Sequence, residues 1–203
     1  MEQRTDEWFS ARIGKVTASR MVDVCARTKT GYAASRANYM AELVCERLTG
    51  KREEGFINAA MQWGIDHEDA ARDAYVIKTG NLVTEVGFIP HPGISQSGAS
   101  PDGIVEPNGC IEIKCPNTAT HIEWLLTREP PQKYFYQMQW QMNCIDAEWC
   151  DWVSYDPRMP ESLQLLVVRI HRDDDAIKML EHEVREFLAE LETKVSKLKE
   201  LVL

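Results

Sequence analysis

The sequence predicts an α/β fold, a mixed central β-sheet flanked by α-helices, and three observations carry that prediction. Stretches with apolar residues at helical spacing alternate along the chain with short runs rich in β-branched and aromatic residues. Two apolar runs flank Pro107-Asn108-Gly109, the chemistry of a hairpin turn. From about residue 173 onward the apolar residues recur in steps of three and four, as one long packed helix requires. With 203 residues the chain can enclose one core, so the expectation is a single domain over residues 1–203 that ends in this helix.

Taken in order, Thr5-Asp6-Glu7-Trp8 supplies a cap and acids for a helix starting near Asp6, and Thr17-Ala18-Ser19 opens a second. Ser35 is expected to cap a helix over 35–48, with Tyr39, Leu43 and Val44 on its apolar face and Gly50 as its stop. From Ala59 the series Met61, Ile65, Ala70, Ala74, Ile77 keeps helical period until Gly80, which places Glu68 on a helix. Residues 83–88 read as a strand, followed by a break at Pro90 and Pro92, and then by the hairpin of 103–105 and 110–113. Helices follow over 118–126 and 131–145, then strands over 149–155 and 163–170 joined by the turn from Tyr155 to Pro160. The strands around Val83, Ile104, Ile111, Trp149 and Leu165 are expected to form the sheet, with the functional site at one edge. The closing helix presents Ile177, Leu180, Val184, Phe187, Leu191, Val195, Leu198 and Val202.

A net charge of −9 argues against a protein that coats nucleic acid along its length, because that task needs a broadly basic surface. Basic residues are nevertheless concentrated locally, at Arg12, Lys15, Arg20, Arg27, Lys29 and Arg36, while acids gather after Asp173. No apolar run is long enough to cross a bilayer, and the opening residues lack the apolar core of a secretory signal, so a cytoplasmic protein without membrane contact is expected. The six cysteines form no CxxC pair, which points to reduced thiols used in packing.

The chemistry centres on Ser100-Pro101-Asp102-Gly103 and Ile111-Glu112-Ile113-Lys114-Cys115-Pro116. Residues two apart on a strand share a face, so Glu112 and Lys114 project together, and a hairpin turning at Asn108 brings Asp102 beside them. Two carboxylates and an ammonium so placed suit a hard cation such as Mg²⁺, which takes carboxylate, carbonyl and water oxygens and bridges to phosphate. Spacing alone favours the plainer reading, a cross-strand salt bridge on an exposed face.

These motifs, together with Arg12-Ile13-Gly14, Thr17-Ala18-Ser19, Trp63-Gly64 with Glu68, Gln137-Met138-Gln139 and Tyr155-Asp156-Pro157-Arg158-Met159, resemble the PD-(D/E)xK signature of the lambda exonuclease (YqaJ-like viral recombinase) family. The resemblance runs from Trp8 to about Val168, and the chain begins close to the family's tryptophan motif. It implies a restriction-endonuclease-like core in which Asp102, Glu112 and the Ile113 carbonyl ligate Mg²⁺, or Mn²⁺ in its place. Glu68 would serve a second ion or the attacking water, Lys114 would orient and activate that water, and Gln137 would lie near the metal-bound phosphate. Arg12, Ser19 and Ser100 would grip a 5′-phosphate. Against this stand plainer roles, a helix cap for Ser19 and a turn position for Ser100.

Arg27 and Lys29 correspond to a basic loop approaching the duplex, and Met61 to a wedge at the end base pair. Tyr134 lies one turn before Gln137. Core packing is the alternative for both Met61 and Tyr134. The implied activity is 5′-to-3′ digestion of linear duplex DNA from phosphorylated ends, releasing mononucleotides and leaving 3′ overhangs, by a homotrimeric ring that works with a single-strand annealing protein in a phage or prophage. A DNA endonuclease with the same motif and a non-catalytic DNA-end scaffold are the competing readings.

Overall fold

The structure, a computed structural model, describes residues 2–52 and 58–201. Val202, the last position of the predicted apolar stripe, lies outside them. Helix α1 (Asp6–Arg12) is capped by Thr5, whose hydroxyl accepts from the Trp8 amide. Thr17-Ala18-Ser19 opens only a short helical run. Strand β1 (Val16–Thr17) comes first, then a 3₁₀ turn (Ala18–Arg20) and α2 (Met21–Val24). A small hairpin, β2 (Arg27–Thr28) and β3 (Gly31–Tyr32), precedes α3 (Ala34–Thr49). That helix begins one residue before Ser35, after Ala33 and without a side-chain cap, and closes at Gly50 in the left-handed conformation.

Helix α4 (Ala59–Thr79) is capped by Asn58 and stopped by Gly80, as its sequence requires. Its buried positions are Ala71 and Tyr75, however, while Met61 and Ile77 are exposed. The chain continues through β4 (Val83–Thr84), β5 (Ile89–His91), β6 (Ile94–Ala99), β7 (Gly103–Val105) and β8 (Gly109–Lys114). Helices α5 (Thr118–Thr127) and α6 (Gln132–Ile145) cross over to β9 (Trp149–Tyr155), after which come β10 (Leu165–His171) and α7 (Asp174–Glu200).

The five predicted strands form one mixed sheet in the order β10-β9-β8-β7-β4. Only β8 and β9 run parallel, as expected for strands joined by a helical crossover. Strand β8 is central. The functional motif therefore stands in the middle of the sheet and not on an edge, because the crossover returns the chain to the far side of β8. Strand 83–88 shortens to two residues, and the segment through Pro90 builds a second sheet, β1-β6-β5, that the sequence reading passed over as a break.

Helix α4 packs on one face of the main sheet, with Ala71 and Tyr75 against Val105, Ile111, Ile113 and Val153. On the other face Cys110, Cys150 and Trp152 meet Trp124 of α5 and Met138 and Met142 of α6. The alternation along β8 is thus complete: Ile111 and Ile113 face α4, and the even-numbered residues face α6. A third cluster joins α3, α6 and the second sheet to α7 through Leu180, Val184, Phe187, Leu191 and Val195. The closing helix is an integral part of the core.

All six cysteines are free. Cys110, Cys144 and Cys150 are buried, whereas Cys45 is exposed. Among the described residues no helix is long and apolar enough to cross a membrane.

Phe187 is fully buried and stacks on Tyr39, with ring centroids 5.5 Å apart. Phe187→Ala is expected to destabilise the fold by about 3–5 kcal/mol, read as a lower urea midpoint. A midpoint unchanged from the parent would show that α7 does not hold the core.

Candidate active site

Glu112 is the most unusual residue of the sheet, a carboxylate only 1% exposed on the face that packs against α6. An isolated charge there would be prohibitive, so its partners decide whether the fold is viable. Lys114, two residues on and therefore on the same face, pairs with Oε1. Gln137 Nε2 donates to Oε1 at 2.7 Å and Gln141 Nε2 to Oε2 at 2.6 Å. The two glutamines lie one helical turn apart on α6, so a single helix face supplies both donors.

Asp102 stands immediately before β7. Gly103 pairs with Ile111, and continuing that antiparallel register sets Asp102 opposite Glu112. The Ile113 amide donates to Asp102 Oδ2 at 2.6 Å, and the Asp102 amide donates to the Ile111 carbonyl at 3.2 Å. Burial, and then the neighbouring Glu112 and Glu68, raise the Asp102 pKa well above the usual carboxylate range against the opposing pull of Lys114. Burial alone would lower the Lys114 pKa, but Glu112 and Asp102 outweigh it and hold the ammonium above its ordinary value. The acids and the lysine form one electrostatic unit.

This unit opens into a cleft of about 620 Å³ lined by Asp102, Ile113, Lys114, Glu68 of α4, and Tyr134 and Lys133 of α6. Glu68 is held by Arg4 and, at 3.2 Å, by Arg72. Tyr134 turns its ring toward Lys114, 5.2 Å from the ammonium, while its far side packs on Trp124 and Trp152. It is at once a cleft and a packing residue. Cys115 also lines the cleft, but burial, Glu68 and Asp102 push its thiol up to about 12, which removes it as a nucleophile near neutrality.

A second cavity, of about 330 Å³, shares Met61 with the first and is lined by Arg12, Lys15, Arg20 and Arg52, by Glu42 and Glu46, and by Trp8, Thr17 and Ser19. Ser100 Oγ accepts from Trp8 Nε1 at 2.9 Å and from Arg12 Nη1 at 3.2 Å, and the Arg12 guanidinium lies 4.0 Å from the centre of the Trp8 ring. Ser19 is exposed at the cavity and 3.5 Å from the Thr17 hydroxyl. It sits within the 3₁₀ turn and does not cap it. Burial lowers the Arg12 pKa to about 10, a penalty that a bound anion would offset. Met61 is 53% exposed and lines both cavities, so it is not a core residue.

The structure does not bring every predicted residue to these cavities. Arg27 Nη2 instead donates to Glu183 of α7 at 2.6 Å, and Lys29 is exposed at the tip of the β2–β3 hairpin. Conversely, Gln141, Arg52, Lys133 and Arg4 belong to the site without having been predicted for it, and Trp8, named only as a motif residue, joins them. A glutamine at the helical spacing Gln137–Gln141 carried a usable signal, since both face the strand that bears Glu112.

The donor set fits a hard divalent cation. Glu112 raises the proton affinity of Asp102, and a cation between the two carboxylates would relieve that repulsion. Among the described residues no three His, Cys, Asp or Glu side chains cluster closely enough to hold an ion alone, so the Ile113 carbonyl and waters would complete the shell.

An acid, acid and lysine on the paired strands of a mixed sheet, opening beside a cationic pocket, define a nuclease with the restriction-endonuclease-like fold. The chain belongs to the YqaJ-like viral recombinase domain family, whose sequence model matches residues 7–148. LHK-Exo, an alkaline exonuclease from Laribacter hongkongensis, is 56% identical over 98% of both chains, with a TM-score of 0.91. The structure of LHK-Exo in complex with dAMP gives a TM-score of 0.92 at the same identity and coverage. A phage-related exonuclease from Haemophilus somnus 129PT, 16% identical, shares the fold over 91% of this chain and 96% of its own, with a TM-score of 0.74. No curated protein matches the chain. The non-catalytic alternative falls with this assignment, and the protein is an enzyme.

Gln141→Leu keeps the side-chain volume but leaves Glu112 Oε2 without its donor. It is expected to cost about 1–3 kcal/mol in stability, measured by denaturant titration. Full stability in that variant would mean that Glu112 does not depend on α6.

Proposed function

We propose that the protein digests one strand of linear duplex DNA from a 5′-phosphorylated end toward 3′, releasing mononucleotides and leaving a 3′ overhang. The observation that carries this reading is the linkage of the two cavities through Ser100-Pro101-Asp102. Ser100 accepts from Arg12, which lines the smaller cavity, and Asp102, which stands opposite Glu112, lines the cleft. Two residues of extended chain reach at most roughly 7 Å. A terminal phosphate held in the Arg12 pocket therefore presents the next phosphodiester to the cleft, which favours removal of one nucleotide at a time. The complex of LHK-Exo with dAMP, a nucleoside monophosphate, supports the same reading.

Arg12, Ser19 and Ser100 are the donors for the terminal phosphate. Met61, between the cavities, wedges the end base pair. Asp102, Glu112 and the Ile113 carbonyl would hold Mg²⁺, or Mn²⁺ in its place, with Glu68 at a second ion or the water. A cation bound there supplies neutralisation of phosphate charge and acidifies the attacking water. Lys114, kept protonated by its carboxylate neighbours, orients that water and donates to the developing negative charge. Gln137 and Gln141 hold Glu112 so that its oxygens stay directed at the site. Family resemblance supports a homotrimeric ring, a single-strand annealing partner, Arg27 and Lys29 near the duplex, and work in the cytoplasm of a phage-bearing or prophage-bearing bacterium.

A time course with Mg²⁺ on end-labelled linear duplex and on closed circles tests the reading. Linear DNA should yield labelled mononucleotides while circles persist, and Lys114→Ala should abolish release while the chain stays folded, at a lowered melting temperature because Glu112 loses its counter-charge. Efficient cutting of circles would establish an endonuclease instead. Arg12→Ala should narrow the rate difference between 5′-phosphorylated and 5′-hydroxyl ends, and a wild type that treats both ends alike would dismiss the pocket.

A further inference from the structure

The segment ahead of α1 contributes a cation to the cleft. Gln3 Nε2 donates to the carbonyls of Val86, at 2.9 Å, and Pro101, at 2.8 Å, the latter belonging to the residue immediately before Asp102. Thr5 caps α1 and donates its hydroxyl to the Glu2 carbonyl at 2.9 Å. Between these two anchors Arg4 adopts φ 67°, a backbone conformation that residues with a side chain rarely take. The result is that its guanidinium lines the cleft beside Glu68, Asp102 and Lys114.

Glu68 does not require Arg4. Arg72 already bonds Glu68 at 3.2 Å and Asp69 at 2.9 Å, and lies 3.2 Å from Glu85, with its own side chain only 12% exposed. Arg4, 44% exposed, has Glu68 as its one carboxylate partner among the described residues. An exposed ion pair contributes little to stability, and so does not account for an unfavourable backbone secured on both sides. Lys133 lines the same cleft, whose wall therefore carries three cations, with Lys114 engaged by the buried Glu112 and Arg4 by the Glu68 that Arg72 also holds.

We propose that Arg4 is a binding residue for a backbone phosphate of the DNA strand in the cleft, held ready by Glu68. The proposal deepens the exonuclease reading and rests on DNA occupying this cleft. Each phosphate contact adds about 0.9 to the slope of log affinity against log salt on duplex DNA. Binding of labelled 5′-phosphorylated duplex by fluorescence anisotropy, in EDTA across a salt series, should therefore show the slope of Arg4→Gln reduced by about 0.9 and that of Arg4→Lys unchanged. An Arg4→Gln slope equal to that of the wild type overturns the proposal, as does a wild type that does not bind. The exonuclease reading fails separately: a wild type that binds with the full slope, yet releases no mononucleotide when Mg²⁺ is added, would refute that activity and leave the Arg4 contact standing.

Discussion

Burial of the Glu112 carboxylate in the central sheet constrains everything around it. A charge at that depth survives only if hydrogen bonds and a counter-charge replace the water it has lost. Lys114 can do so because it lies two residues along the same strand, and Gln137 and Gln141 because α6 crosses that face. The same helix is fixed at a distance from the site: Trp140 Nε1 donates to Ser97 in the second sheet at 3.1 Å, and Gln139 Nε2 donates to the His171 carbonyl at 2.9 Å. The carboxylate is thus anchored to a helix that two sheets hold in place.

That rigidity matters for what the site can do. A group that must meet one phosphodiester at a time needs its donors set before the substrate arrives, since any reorganisation would reduce the stabilisation available in the transition state. The 156–158 turn adds a further brace. Arg158 bonds Asp156, reaches the Pro116 carbonyl at 3.1 Å just beyond the motif, and stacks 4.2 Å from the Trp63 ring of α4. Helix α4, which carries Glu68 and Met61, is thereby locked to the end of β8.

The central sheet and its hairpin were legible in the sequence because their strands are dense in β-branched and aromatic residues and their turn carries Asn108-Gly109. The second sheet was not. Its β6 strand contains Ser95, Gln96, Ser97 and Gly98, and β5 contains Pro90, so neither shows the alternation that betrays a half-buried strand. Ser97 can be buried because it donates to the Val16 carbonyl, at 2.8 Å, a partner 81 residues away, and accepts from Trp140. The α4 pattern gave the helix but not its core face: Met61 and Ile65 hold helical period, yet they line open cavities, and apolarity does not distinguish a core from a binding wall. Gln141 and Arg4 likewise acquire their roles from contacts remote in sequence.

Charge illustrates the same limit and resolves the apparent conflict between a net charge of −9 and a DNA substrate. The basic run between Arg12 and Arg36 is a local concentration of positive charge, but much of it is answered by carboxylates of the fold. Arg20 pairs with Asp23 and Glu42, Arg27 with Glu183, and Arg36 with Glu190, so two of the acids in the closing helix are answered within the fold. Arg12 and Lys15, by contrast, have no carboxylate within ion-pair distance among the described residues and line the smaller cavity, with Arg52 at the same wall. The field of the unpaired positive charge that remains lies at the smaller cavity instead of over a whole face. Such a field is too narrow to coat a duplex and well sized to hold the phosphates at one end of a strand, so an acidic chain and a DNA end are compatible partners.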